Sequence, residues 1–256
     1  MQHGGLGGAL VTSVMIWGAA VFAAPAMADG KTDRGFAQAS PNAHWGGFYA
    51  GGELGWSWAE FDWDYKNANY FNTLGPTVVG SDFDQDADGA IGGGLAGYNF
   101  LSGPWVLGIE GSLAAADLKD EGPSPFFPAI DTYTSQIDWL ATVTGRVGYA
   151  WDRWLVFGKA GYAGADVELT LNDATSQIRA NTDTWANGWT VGAGADYMVG
   201  DGIAVGLAYD FVDLSIDNET VSCPACGTGV GFGTPAVDGR IQLQSVMARL
   251  VFYFGP

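Results

Sequence analysis

TGRVGYAWDRWLVFGKAG, residues 144–161, is the stretch that decides the fold. Small and apolar residues run into Tyr149, a tight polar turn at Asp152-Arg153 reverses the chain, and a second alternating run carries Gly158. The pattern recurs on both sides. GLAGYNFLSGPWVLGIEG, residues 94–111, has Tyr98, a turn at Ser102-Gly103 and Gly108; GAGADYMVGDGIAVGLAYD, residues 192–210, has Tyr197, a turn at Asp201-Gly202 and Gly206. The tyrosines are 51 and 48 residues apart (149 − 98 and 197 − 149). A hairpin repeated at that period spells an up-and-down antiparallel barrel. Long segments separate the hairpins, so short turns fall at one end and long loops at the other, the asymmetry of a barrel that crosses a membrane.

Outward from these hairpins, alternation predicts eight strands, near 47–60, 89–101, 105–118, 135–150, 154–169, 185–199, 203–216 and 241–254. Ile203, Val205, Leu207, Tyr209 and Phe211 share one face, against Ala204, Gly206, Ala208 and Asp210. Trp139, Ala141, Val143, Val147 and Tyr149 likewise stand opposite Thr142, Thr144 and Arg146, and Val246, Leu250, Phe252 and Phe254 opposite Ser245, Arg249 and Tyr253. Bulky apolar residues outside and small or polar ones inside is the polarity of a barrel facing lipid; a water-soluble barrel reverses it. The expected class is all-β, an eight-stranded antiparallel up-and-down transmembrane β-barrel. An even count lets the first and last strands meet, which leaves no unpaired edge in hydrocarbon. Short turns are expected near 102–104, 151–153 and 200–202, facing the periplasm, and exterior loops over 61–88, 119–134, 170–184 and 217–240.

Composition agrees with lipid contact. Aromatic residues make up 14% and glycine numbers 40, beside only 15% charged residues, where soluble proteins carry about 25%. The net charge of −18 excludes nucleic acid as a partner, because phosphates would be repelled. The acidity is assigned mostly to the loops. Asp62, Asp64, Asp82, Asp84, Asp86 and Asp88 crowd the first of them, where they would serve solubility and repulsion between neighbouring barrels.

The N-terminus reads as an export segment. An uncharged run from about Leu6 to Ala24 ends in Ala26-Met27-Ala28, a small-x-small cleavage site before Asp29. Met1-Gln2-His3 lacks the basic residue of a usual signal, and a membrane-anchor helix is the alternative. The expected organisation is a signal peptide over 1–28, a flexible lead-in over 29–44 and a barrel over 45–256.

Trp45-Gly46-Gly47-Phe48-Tyr49-Ala50-Gly51-Gly52, Gly97-Tyr98-Asn99, Trp105-Val106-Leu107-Gly108-Ile109-Glu110, Asp138-Trp139, Gly145-Arg146-Val147-Gly148-Tyr149-Ala150-Trp151 and Gly188-Trp189-Thr190-Val191-Gly192-Ala193-Gly194 stand in one order. In these motifs the chain resembles the small outer-membrane immunogenic proteins, porin-family and opacity-like barrels of Gram-negative bacteria. The resemblance spans Trp45 to Phe254. It implies location in the cell outer membrane, with outer-membrane lipid, lipopolysaccharide and the barrel assembly machinery as partners. Roles in that family range from envelope structure to weak pore activity and surface interaction, so an adhesin or receptor for an unknown surface ligand is the alternative. Such barrels usually end in an aromatic residue. Here Phe252-Tyr253-Phe254 is followed by Gly255-Pro256, which displaces the pattern by two residues.

Candidate lumen residues are Glu53, Glu110, Arg146, Lys159, Asp196, Asp210 and Arg249. Mixed charges inside a narrow barrel read as a paired ionic plug, since isolated buried charges are costly; a narrow ion path filtered by Glu110 and Arg146 is the other reading. Cys223-Pro224-Ala225-Cys226 lies among glycines rather than at a helix start. In an oxidising envelope it reads as a local disulfide, Cys223 with Cys226, and not as a redox or zinc motif. The run Asp84-Gln85-Asp86-Ala87-Asp88-Gly89 starts like a calcium loop, but Leu95 stands where the closing glutamate belongs. It reads as a chance match. Catalysis lacks a base: His3 falls in the export segment and His44 precedes the first strand. No enzyme activity, metal or cofactor is expected.

Overall fold

The computed structural model describes residues 43–67, 82–123, 131–173, 178–223 and 236–255. The export segment and the lead-in up to residue 42 lie outside the described residues. Strands β1 (Gly47–Asn67), β2 (Asp82–Ser102), β3 (Trp105–Pro123), β4 (Asp131–Trp151), β5 (Trp154–Asp173), β6 (Ile178–Gly200), β7 (Ile203–Thr220) and β8 (Ala236–Tyr253) form a closed barrel in sequence order. All neighbours are antiparallel, and β1 closes onto β8 with Glu53 opposite Arg249 and Ser57 opposite Ser245. Two-residue turns join three hairpins: Ser102 pairs Trp105, Trp151 pairs Trp154, and Gly200 pairs Ile203. The first turn is therefore Gly103-Pro104, one residue later than the sequence reading put it. Gly103, Asp152 and Gly202 adopt positive φ there (62°, 52° and 71°), the left-handed backbone that Gly adopts freely and Asp tolerates.

The strands are longer than expected, at 18 to 23 residues, about twice the 9–11 a bilayer needs. The half nearer the short turns has the anticipated polarity. Leu54, Trp56, Leu107, Ile109, Val143, Val147, Val205, Leu207 and Leu250 are exposed on the outer wall. Rings flank this belt. Phe48 meets Tyr98 at 4.7 Å, Trp105 meets Tyr149 at 5.3 Å and Trp154 meets Tyr197 at 4.8 Å near the short turns. Trp56, Trp58, Trp139, Tyr162, Trp185, Trp189 and Tyr209 are exposed further along the strands. These are the two aromatic girdles of a membrane barrel.

Past the second girdle the polarity reverses. Phe61, Trp63, Leu118, Ile137, Val167, Leu169, Leu214, Ile216, Ile241 and Leu243 are buried inside the wall as one apolar cluster, while Glu60, Asp62, Asp64, Asp84, Asp86 and Asp88 face out. This corrects two expectations. Within the segments assigned to loops over 61–88, 119–134, 170–184 and 217–240, residues 61–67, 82–88, 119–123, 131–134, 170–173, 178–184, 217–220 and 236–240 extend the strands, and the acidic residues of the first supposed loop sit on β1 and β2. The calcium-like run is extended β2 backbone, with Asp84, Asp86 and Asp88 on one face of a strand. A barrel emerging into water must bury apolar side chains inward, each contributing about 1.5–3 kcal/mol. Register shifts at Ala115/Leu118 and Ile137/Trp139 sit at this boundary. The second lets Ile137 and Leu140 both point inward while Trp139 stays exposed.

Candidate functional site in the lumen

Glu110 on β3 is the hub of the membrane-level interior. Its Oε2 accepts from Arg249 Nη2 of β8 at 2.6 Å, Arg146 Nη1 of β4 at 3.3 Å and the Tyr49 hydroxyl of β1 at 3.0 Å. Its Oε1 accepts from Lys159 Nζ of β5 at 3.4 Å. Arg146 Nη2 also donates to Asp196 Oδ2 of β6 at 2.9 Å, where the Tyr253 hydroxyl donates at 3.3 Å. Lys159 forms a second ion pair, with Asp210 of β7, at 3.1 Å. Apart from Arg146–Glu110, these bonds join strands that are not neighbours in the wall, so they brace the barrel across its lumen. The side chains of Arg146, Asp196 and Arg249 are 0% exposed and that of Glu110 is 2%.

The arginines also lie against aromatic faces. Arg146 stands 3.7 Å from the Phe157 centroid, with Arg249 at 5.0 Å from the same ring, which adds cation–π attraction to the ion pairs. Large side chains fit because small ones oppose them. A Cβ at Gly97 would collide with the Tyr49 ring, one at Gly194 with Phe157, and ones at Gly206 and Gly192 with the Asp196 and Asp210 carboxylates. Of the glycines in the repeated hairpins, Gly206 therefore has a lumen task, whereas Gly158 faces outward.

All seven lumen residues read from the sequence point inward, and six join one ionic lattice. Glu53 is the exception. It stands opposite Arg249 in the β1–β8 register, yet Arg249 turns to Glu110, and Glu53 makes no hydrogen bond or ion pair within 4 Å among the described residues. It borders a cavity of about 20 Å³ with Lys159, Asp210, Ser112, Thr142 and Ser245, room for about one water. Tyr49 and Phe157 were missed by sequence reasoning. Each shares strand parity with a named charge, Glu53 and Lys159, and that parity was the available signal.

Apolar layers close the lattice on both sides. Toward the short turns, Trp45 from a short 3-10 helix (Ala43–Trp45) enters the mouth and packs edge-on against Tyr253 at 5.2 Å. Its carbonyl accepts from Asn99 Nδ2 at 2.9 Å, and Val106, Leu155, Ala204 and Val251 complete that layer. Of the lead-in expected over 29–44, only residues 43 and 44 are described, as part of this helix. On the other side lies the apolar cluster described above. Cys223 is disulfide-bonded; Cys226 lies outside the described residues.

Over residues 17–233 the chain matches the family described as outer membrane protein beta-barrel domain. It is similar to the 31 kDa outer-membrane immunogenic protein of Brucella melitensis, 30% identical over 187 residues that cover 68% of this chain and 73% of the relative. It is also similar to the 22 kDa outer membrane protein of Rhizobium leguminosarum bv. viciae, at 29% identity over 69% of this chain and 68% of that one. Among solved structures, Neisserial surface protein A aligns over 81% of this chain and 97% of its own, with 11% identity and a TM-score of 0.38.

Proposed function

Because the chain belongs to the outer membrane protein β-barrel domain family, we propose that it is a closed, non-conducting and non-enzymatic structural barrel of the bacterial outer membrane. The observation that carries this reading is the Glu110 lattice. Three cations and three carboxylates span the lumen with side chains at most 15% exposed. An ion crossing would have to break several buried ion pairs and then pass the apolar cluster above them, which offers no replacement for its hydration. The narrow-pore reading would use the same Glu110 and Arg146 as a filter. Planar-bilayer recording of the purified barrel tests it: a flat baseline is expected, and discrete steps that disappear when the lumen is blocked would overturn the proposal.

A second reading is favoured by the wall height. The strands continue well beyond the belt, so their upper ends stand clear of the lipid surface, and loops on rigid scaffolds are common sites of recognition. A surface receptor or adhesin role would use residues 68–81, 124–130, 174–177 and 224–235, outside the described residues. Replacing these connections with short turns would abolish cell or ligand binding while envelope integrity stays normal; unchanged binding would dispose of this role.

A further inference from the structure

Above the upper girdle the backbone ladder does not run unbroken around the ring. The β2–β3 register ends at Ile91–Ala116 and the β6–β7 register at Asn187–Ser215. The second resumes only at the isolated pair Asn181–Ser222. The other six registers continue to the upper strand ends, as at Asp64–Asp82, Pro123–Thr132, Asp173–Ile178 and Thr220–Ala236. The two seams lie four strands apart, so the wall divides upward into two facing sheets, β7-β8-β1-β2 and β3-β4-β5-β6. A bulge stands beside each seam, at Ala115/Leu118 on β3 and at Ile216/Glu219 on β7, where Asn218 adopts a φ of 50°.

Side chains hold the seams where backbone pairing stops. Gln85 Nε2 of β2 donates to Asp120 Oδ2 of β3 at 3.3 Å and to the Tyr133 carbonyl of β4 at 3.2 Å, and Ser135 Oγ donates to Gln85 Oε1 at 2.6 Å. Across the other seam the Thr182 and Thr184 hydroxyls of β6 donate to the two carboxylate oxygens of Glu219 on β7, at 3.1 and 3.2 Å. Breaking these bonds separates the sheets without breaking either one. Between them lies the apolar cluster, and one polar atom in it is unmatched. Trp63, stacked with Phe61 at 6.5 Å and 1% exposed, has an Nε1–H with no acceptor among the described residues. A buried donor left unbonded is costly, and an acceptor brought between the sheets would satisfy it. We propose that the two sheets part at these seams and take between them a small apolar ring molecule with one hydrogen-bond acceptor, seated on Phe61 and Trp63 with its acceptor on Nε1. The pocket forms on binding. It needs nothing from the ionic lattice below and holds whether or not the lumen conducts.

The test uses the full chain purified in detergent, with heat-modifiable gel migration confirming a closed barrel for every variant. The probes are 2-acetylnaphthalene, which carries a carbonyl acceptor, and 2-ethylnaphthalene, which has nearly the same shape and none. In calorimetric titrations against detergent-matched blanks the ketone should bind about fivefold tighter than the hydrocarbon, and Trp63→Phe should remove that difference. By hydrogen exchange, amides of 182–186 should exchange about tenfold faster than those of 132–136 and 168–172 at the same height, and the ketone should slow them. Thr182→Val/Thr184→Val, which unfastens Glu219, should raise exchange in 182–186 further and speed ketone entry. Should Trp63→Phe not form a barrel, the threonine variant decides. No binding of either probe, equal binding of both by the wild type, or seam amides as protected as the fully paired ones would each overturn the proposal.

Discussion

Glu110→Gln keeps the size and much of the hydrogen bonding of the hub and removes only its charge. Arg249 then suffers most, because among the described residues Glu110 supplies its only ion pair within 4 Å and its Nε and Nη1 already lack partners. Arg146 retains Asp196 and Lys159 retains Asp210. A fully buried cation stripped of its counter-charge costs about 3–5 kcal/mol. Glu53→Gln removes the same charge from β1, two strands away, but Glu53 holds no ion pair among the described residues. Its loss converts four lumen carboxylates facing three cations into three facing three (Glu110, Asp196 and Asp210 against Arg146, Lys159 and Arg249). That change should leave stability within about 1 kcal/mol or raise it, since no pair is broken. Equilibrium urea unfolding in phospholipid vesicles, followed by tryptophan fluorescence, measures both. In Glu110→Gln/Arg249→Met the two losses should sum to more than the double-variant cost, with a coupling of about 1–3 kcal/mol. The reasoning is refuted if Glu110→Gln costs less than about 1 kcal/mol with the barrel intact, or if Glu53→Gln costs as much.

The remaining predictions concern other levels of the wall. Leu118 is 0% exposed in the upper apolar cluster, so Leu118→Ala should cost about 2–5 kcal/mol; hydrogen exchange should show the loss in the upper strands while the belt stays protected, and uniform protection would contradict it. Gly97→Val would drive a side chain into the Tyr49 ring and expel its hydroxyl from Glu110, at a cost of about 1–3 kcal/mol; a crystal structure retaining the Tyr49–Glu110 bond would refute this. Burial, then a hydrogen bond with Asp84 and its charge, hold the Asp62 carboxyl above its ordinary value outside the belt. A raised folded-state pKa gives stability that is greatest below the unfolded value near about 4 and declines as pH rises through the folded one. Asp62→Asn should therefore match the parent in acid and exceed it slightly at neutral pH; a less stable variant at pH 7 would show the sign to be wrong.

The sequence made the membrane-level half of the fold legible because lipid outside and a narrow lumen inside impose period-2 alternation on every strand. Ile203 to Phe211 could be sorted by parity alone, and the same parity delivered Arg146, Asp196 and Arg249 to the interior. The upper half was not legible for a related reason. There the wall leaves lipid, the apolar parity moves inward, and a segment such as Asp62-Trp63-Asp64 reads as an acidic loop unless the reversal is anticipated. The bulge at Ile137/Trp139 hides the transition further, since it lets the neighbours Asp138 and Trp139 share the outer face. Parity also cannot say which inward charges meet. Arg249 bypasses Glu53, its register partner, for Glu110 across the lumen, a choice set by side-chain reach and by the ring of Phe157.

The two halves of the barrel solve the same packing problem with opposite chemistries. An eight-stranded lumen is only wide enough for side chains, so something must fill it at every height. Where lipid takes the apolar residues on the outer face, the interior is left to small and polar groups, and charge pairs with opposing glycines fill the space. Where water takes the polar residues outside, apolar side chains fill the interior and the ionic lattice ends. The junction falls at the small cavity lined by Glu53, Asp210 and Lys159 on one side and Ile91, Leu140 and Met247 on the other. A carboxylate without a partner is tolerable at such a boundary because the cavity beside it has room for a water. Filling that room, for instance with Ser112→Leu, should destabilise the barrel through the desolvation of Glu53, and the combined Ser112→Leu/Glu53→Gln should recover most of the loss. Failure of Glu53→Gln to rescue would mean that the cavity is set by packing alone.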